Sequence, residues 1–324
     1  MAKISIVVPC FNEEAALPHL SARLDRATAE WRGTREILLI DDGSSDATWE
    51  AIQKVASEVE GLRGIRLSAN RGHQAALTAG LQAARGSRIF MLDADLQDPP
   101  ELISDMMAMM DQGYDVVYGK RKKRRGETLF KKVSAWGFYR VLNMLSDIEI
   151  PNDTGDFRLV NRRALDAVLA MPERARFVRG MFSWVGFRQI GLEYVRDERV
   201  AGDTKYPFRK MLNFGLDAVT SFSTRPLRWA TRLSFLSLIA TAVMLTYVAG
   251  SLVFYQTAPG WASVLLAVSF FSSIQLLTLG IIGEYFGRLY MEAKGRPLYT
   301  VAEDTEEAAA PASRTDKPKL EAAS

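Results

Sequence analysis

At 324 residues, 48% apolar and 24% charged, the chain is long enough for one large domain or two smaller ones, and too apolar to be disordered throughout. A single cysteine, Cys10, excludes an intramolecular disulfide framework and a Cys-x-x-Cys metal site, and suits a reducing compartment. The net charge of +3 is small, but the positive residues are bunched, in "KRKKRR" at 120–125 and around the late apolar segments.

The opening "MAKISIVVPC" lacks the apolar core and small-residue cleavage site of a signal peptide, so the first domain is expected on the cytosolic side. Cys10 ends an apolar run and is read as a packed residue. From there the pattern alternates. The runs "ISIVVP", "EILLIDD", "GIRLSA", "RIFMLDAD" and "DVVYG" have the look of strands, and each but the last precedes a segment with helical spacing, such as 13–30, 45–59 and 74–84. This predicts an α/β domain with a mainly parallel sheet covered by helices, and ligands outside the carboxyl ends of the strands.

Acidic residues gather at those ends. After Pro9 come Asn12, Glu13 and Glu14; after Leu39 and Ile40 come Asp41 and Asp42, then Gly43, with Ser44, Ser45 and Asp46 placed to cap the next helix. Each group also reads as a plain cap or turn. The run "IFMLDADLQDPPE" delivers Asp93, Asp95 and Asp98, charges too costly to bury unpaired, so a cation should meet them. In an extended chain Asp93 and Asp95 point to the same side and could share one hard ion, Mg²⁺ or Mn²⁺. Carboxylates at the other ends could hydrogen-bond a base or ribose while the ion joins a diphosphate. A Gly-rich phosphate loop is missing, which disfavours a P-loop kinase or a dinucleotide dehydrogenase. His19 and His73 are too far apart to suggest a metal pair, and His73 is read as a helix start. Nothing in the sequence suggests nucleic-acid binding.

Further on, 130–145 and 206–222 mix aromatic and aliphatic residues with Lys and Arg, the makeup of helices in a membrane interface; packing against the α/β core is the alternative. Two segments, 233–255 and 261–283, carry no formal charge and are long enough to cross a hydrocarbon core, giving a transmembrane hairpin over 229–288. Arg225, Arg228 and Arg232 precede the first span and Arg288, Lys294 and Arg296 follow the second, so both ends are expected in the cytosol. Trp229, Tyr255 and Trp261 suit an interfacial belt. The tail over 289–324 is expected to be disordered from about 302, being rich in Ala, Pro and charge.

Taken in order, "VVPCFNEE", "LLIDDGSSDAT", "NRGHQAALTAG", "DADLQDPPE", "GDFRLVNRRAL", "ERARFVRGMFSWVGF" and "AGDTKYPFRKML", followed by two spans, resemble the family 2 glycosyltransferases that load a sugar onto polyprenyl phosphate. Bactoprenol glucosyltransferases are the nearest in kind, with dolichol-phosphate mannose synthases and the aminoarabinose transferase as cousins. The resemblance covers about residues 3–300. It implies a GT-A, Rossmann-like domain over 1–205 with an interface helix near 127–146, a second interface helix over 206–228, and then the hairpin. It also implies a nucleotide-sugar donor, a divalent metal, inversion at the anomeric carbon, an undecaprenyl phosphate acceptor, the bacterial inner membrane and a homo-oligomer. UDP-glucose is the first donor expected, with GDP-mannose, UDP-N-acetylglucosamine and UDP-aminoarabinose as alternatives.

Residue by residue, the resemblance assigns Pro9, Phe11, Glu13, Leu39 and Asp41 to the nucleotide, and Asp93, Ala94, Asp95 and Gln97 to the metal and diphosphate. It assigns Arg121, Arg199 and Lys205 to phosphate. Asp203 and Thr204 stand in the small-residue loop before Lys205, a modest variation. Asp156 matches the acidic residue held to be catalytic, beside Asp95. The acceptor is a phosphate monoester, largely a dianion at neutral pH, and scarcely needs a general base. Asp156 is therefore read as orienting or supporting the sugar, with general base and loop cap as alternatives. The Gln-x-x-Arg-Trp motif of processive synthases is absent, and single transfer is expected.

Overall fold

The computed structural model describes residues 3–122, 154–195, 225–254 and 260–306. Strand Ile4–Cys10 (β1) is buried at every position, as a near-continuous apolar run requires when both faces of a sheet are covered. It pairs in parallel with Arg35–Asp41 (β2) on one side and Arg88–Met91 (β4) on the other, and β2 pairs in parallel with Leu62–Leu67 (β3). The helices between them are Leu17–Ala27 (α1), Thr48–Glu58 (α2) and His73–Ala83 (α3). Strand order therefore reverses between β1 and β4, and the crevice outside their carboxyl ends is the switch point where such sheets take ligands.

After helix Ile103–Asp111 (α4) and strand Val116–Arg121 (β5), the described chain resumes with Thr154–Asn161 (β6), Arg162–Leu169 (α5), Val178–Trp184 (α6) and Gln189–Tyr194 (β7). Strand β6 enters antiparallel between β4 and β5, so its beginning lies at the edge where the parallel strands finish. Helices α1, α2 and α4 cover one face through residues such as Leu20, Ile52 and Met106; α3, α5 and α6 cover the other through Leu77, Leu165 and Phe182. Contact between α3 and the sheet is close. A Cβ on Gly80 would come within 2.3 Å of Val7 Cγ1, so only glycine lets this helix approach β1.

Arg225–Phe254 (α7) and Trp261–Ala293 (α8) are long helices packed against each other, each apolar enough over its length to cross a membrane. Their large side chains, Leu238, Ile239, Val243 and Leu276 among them, are exposed, so these are not core helices of this chain. Helix α7 starts at Arg225, within the segment assigned to a second interface helix. The rest of that segment and the helix near 127–146 lie outside the described residues.

The tail expectation is corrected at its start. Val301–Asp304 (β8) pairs antiparallel with β3 and closes the sheet's far edge, giving the order β7-β5-β6-β4-β1-β2-β3-β8. Acidic residues that composition assigns to a solvated tail meet a basic strand here. Asp304 takes Arg63 Nε at 3.0 Å, Glu306 pairs with Arg85 at 2.7 Å, and Arg66 Nη1 donates to Glu303 at 2.9 Å. The backbone N–H of Gly64 donates to Thr305 Oγ1 at 2.9 Å.

Candidate active site

Four strand ends build the site. At the end of β1, Asn12 adopts φ 56°, a left-handed conformation its short polar side chain tolerates, and bridges to the next strand end. Its N–H donates to Ser44 Oγ and its Oδ1 accepts the Ser45 N–H, both at 3.0 Å. Ser44 and Ser45, expected as caps, thus hold the β1 and β2 ends together. Asp46 makes the cap-like bond, accepting the Thr48 N–H at 3.1 Å. Pro9 and Leu39 are buried strand residues, Phe11 is 45% exposed beside them, and the Glu13 N–H donates to Thr48 Oγ1 at 2.9 Å. Cys10 is buried, and burial pushes its thiol well above the ordinary range, as expected of a packed cysteine.

The two aspartates at the end of β2 divide the work. Asp42 accepts the N–H groups of Arg71 and Gly72 at 2.8 and 2.9 Å, fixing the turn into α3; burial raises its carboxyl nonetheless. Gly43 is required between β2 and this turn, since a Cβ there would lie 2.7 Å from the backbone of Ala69 and Asn70. Asp41 is fully buried. Its Oδ1 accepts the Ser44 N–H at 3.0 Å, while its Oδ2 has no hydrogen-bond partner among the described residues and lies 3.5 Å from Arg66 Nε.

Beyond Asp93 the chain is not extended. Strand pairing stops at Met91, Ala94 and Asp95 lie in a turn, and Leu96 takes φ 58°, so the expectation that Asp93 and Asp95 point the same way along one strand is corrected. The turn is held by burial of Leu96 in the core, by Arg23 donating to its carbonyl at 3.3 Å, and by Asp95 Oδ1 accepting the Gln97 N–H at 3.2 Å. Ala94 and Gln97 are buried within it. The cation that Asp98 requires is Arg121, at the end of β5, with Nη2 3.4 Å from Oδ2; Tyr194, paired with Arg121 across β5 and β7, donates its hydroxyl to Oδ1. Arg121, assigned to phosphate, is thereby also the anchor of this loop.

Asp93 and Asp156 meet because of β6. Met91 faces Arg158 in the antiparallel register, and extending that register by two residues brings Asp93 level with Asp156. His73 Nε2 stands between them, donating to Asp156 Oδ2 at 3.2 Å and lying 3.5 Å from Asp93 Oδ1. Gln74 Nε2 also donates to Asp156 at 2.9 Å while its Oε1 accepts the Val178 N–H at 2.8 Å, tying α3 to α6. Arg179 of α6 brings Nε within 3.6 Å of Asp156 Oδ1. Burial alone would raise Asp156, but the His73 hydrogen bond and the charges of Arg179, His73 and Arg158 hold it well below the usual carboxylate range. The opposite holds for Asp93. Burial, with Asp156, Asp98 and Asp95 adding to it against His73, pushes it up to about 6. Burial would lower His73, and its two acidic neighbours raise it overall.

An acid with raised proton affinity marks a corner short of positive charge. Asp93 Oδ1 is shut off from solvent and has no hydrogen-bond partner among the described residues, a state that costs about 1–3 kcal/mol or more and that a bound cation would relieve. Among the described residues no three His, Cys, Asp or Glu side chains are arranged to enclose a metal. A Mg²⁺-like ion takes one or two carboxylates and completes its shell with water and substrate phosphate, and the unsatisfied Asp93 oxygen is a donor of that kind. The residues fit the expected metal.

His73, Gln74, Arg158, Arg179 and Tyr194 carry roles that sequence reading did not assign. His73 does start α3, as read, and bridges two acids as well. Two signals were available: polar "HQ" heading an otherwise small and apolar helix, and Arg158 two residues from Asp156 on the same face of β6. Arg199 and Lys205 lie outside the described residues.

A sheet of this topology with acidic side chains converging at its switch point is the GT-A arrangement. The chain belongs to glycosyl transferase family 2, whose family model matches residues 5–169. It is similar along 92% of its length to an uncharacterized glycosyltransferase, YkcC, of Bacillus subtilis, at 46% identity over 92% of that protein. To the prophage bactoprenol glucosyl transferase homolog of Escherichia coli K12 it is 38% identical, covering 92% of this chain and 98% of that one. A bactoprenol glucosyl transferase of Shigella phage SfV is likewise 38% identical, over 92% of this chain and 98% of the other.

Proposed function

We propose that the protein transfers one sugar, with inversion, from a nucleotide-sugar to polyprenyl phosphate at the cytosolic face of the membrane that α7 and α8 cross. UDP-glucose is the first donor to test and undecaprenyl phosphate the acceptor. The observation that carries the reading is the convergence of Asp41, Asp93 and Asp156 on one sheet edge in a chain that also bears two exposed apolar helices. The names of the relatives support the acceptor class. The Glu292 carboxylate near the end of α8 accepts the Arg174 N–H at 2.8 Å, just ahead of α6 and Arg179, so the catalytic domain touches the end of the second helix.

Asp41 would take the nucleoside through Oδ2, which accepts no hydrogen bond among the described residues, with Phe11 beside it. Asp93 and Asp95, with Gln97 in the same loop, would hold Mg²⁺ or Mn²⁺. When bound, such an ion neutralises charge on the departing nucleoside diphosphate. Asp98, Arg121 and Tyr194 fix the loop that carries these residues. Arg199 and Lys205 are proposed to hold phosphate with Arg121.

Because Asp156 is held far below neutrality it stays an anion and is a poor proton acceptor. The acceptor phosphate needs none, being largely a dianion already. Asp156 instead fixes His73, Gln74 and Arg179 around the reacting sugar, and the group supplies oriented charge in a buried site.

Membranes containing the protein, given undecaprenyl phosphate and a panel of labelled donors with Mg²⁺ or Mn²⁺, should yield a lipid-linked sugar and a free nucleoside diphosphate. Asp95→Ala should lower that rate at least about 100-fold. Full activity in the variant removes Asp95 from the metal site; release of pyrophosphate would make the enzyme a nucleotidyltransferase instead.

A further inference from the structure

The chain segment that follows the second apolar helix returns to the sheet as β8, and one of its side chains reaches toward the nucleotide end of the site. Three neighbouring strands contribute. Asp41 on β2 is directly opposite Arg66 on β3, and Arg66 is in turn opposite Glu303 on β8. The Arg66 guanidinium, its side chain 34% exposed, is shared between the two acids unequally. Its Nη1 donates to Glu303 Oε1 at 2.9 Å, whereas its Nε makes only a loose ion pair with Asp41 Oδ2 at 3.5 Å, and that oxygen accepts no hydrogen bond among the described residues. Trp49 reinforces the bias toward Glu303. Its indole N–H donates to Glu303 Oε2 at 3.1 Å, and its ring lies 5.9 Å from the Arg66 guanidinium carbon.

A buried carboxylate oxygen and an arginine only loosely paired with it are poised to close on each other. From this geometry we infer that Glu303 is a positioning residue for donor binding: it holds Arg66 back from a hydrogen bond to Asp41 and so leaves the buried Asp41 Oδ2 unsatisfied, to be taken by a nucleoside. The inference rests on the proposed role of Asp41. If Glu303 is removed, Arg66 loses its nearer anion and swings onto Asp41, the remaining buried one, forming a charge-assisted hydrogen bond that a nucleobase or ribose must then displace. Asp304, the adjacent acid on the same strand, holds Arg63 and makes no hydrogen bond or ion pair with Arg66 or Asp41, so it ties down β8 without touching this acceptor.

The test uses the full chain in detergent with Mg²⁺, titrated with UDP and with GDP, and compares Glu303→Ala, Asp304→Ala and the double variant Arg66→Met/Glu303→Ala. Glu303→Ala should weaken nucleotide binding about fivefold to tenfold and raise the donor KM to match, leaving kcat and the acceptor KM in place. Asp304→Ala should lower the melting temperature at least as much as Glu303→Ala does, while leaving nucleotide affinity as in the wild type. Removing the released arginine in the double variant should restore most of the lost affinity. Equal losses in Glu303→Ala and Asp304→Ala would mean that β8 acts only as a fastening, and would overturn the inference, as would unchanged affinity in Glu303→Ala or no recovery in the double variant. If neither nucleotide binds the wild type, the donor reading falls and takes the inference with it.

Discussion

Asp93 and Asp156 are two carboxylates bridged by one imidazole and driven to opposite protonation tendencies. Asp93 has too few donors for its burial, and Asp156 has an arginine, a histidine and an amide. Replacing Asp156 with Asn leaves Arg158 and Arg179 facing each other without their anion, and should lower kcat about 100-fold. The pH dependence has a definite sign. A carboxyl held well below its ordinary value is ionised throughout the neutral and mildly acidic range, so any acid limb of the rate profile above pH about 5 belongs to another group and should persist in Asp156→Asn. A limb that vanishes in the variant would make Asp156 the base. At this scale the sequence could single out Asp41, Asp93 and Asp95 because charge after an apolar run is conspicuous, whereas Asp156 came only through the family resemblance. It could not separate their roles, since those depend on donors brought from α3, α6 and β5.

Among the elements, β8 and the loop after β4 are where local pattern and tertiary context disagree. Val301–Asp304 is a poor strand by composition, and it forms because β3 offers an open edge with Arg63 and Arg66 on it. Its fastening should respond to pH. Burial opposes the ionisation of Asp304, but the Arg63 hydrogen bond and the Glu306 N–H outweigh it and lower its carboxyl. A depressed native value contributes stability that is complete above the ordinary aspartate range near pH 4 and is lost as pH falls through the native value. Amide protection of 62–67 and 301–304 should therefore hold steady from pH 7 to about 5 and decline below about 4, followed by hydrogen exchange at each pH. The loop shows the complementary case. "RIFMLDAD" reads as a strand through Asp95, yet Ala94 and Asp95 lie in a turn and Leu96 is buried at a positive φ, a cost met by the packing around it and by Arg23.

For the whole molecule, the placement of the α/β domain against the end of α8, and the return of β8 to the sheet just beyond it, tie the apolar helices to the sheet. Exposed leucine, isoleucine, valine and phenylalanine along α7 and α8 are far too extensive to face water. The protein should stay in the membrane pellet after an alkaline wash and leave it only with detergent; release by alkali would put those helices in a protein interface instead. Length and hydropathy alone revealed both helices, because crossing a bilayer is a property of one continuous segment. By the same reasoning the alternation of apolar runs and helical spacing determined the layered α/β class and the sheet edge that carries the acids, since periodicity and burial are written residue by residue along the chain. Only the tertiary structure decided that β6 enters antiparallel beside β4, setting Asp156 level with Asp93, and that β8 reaches back to Arg66. Those pairings join segments tens to hundreds of residues apart, and the energy that selects them comes from partners no local stretch contains.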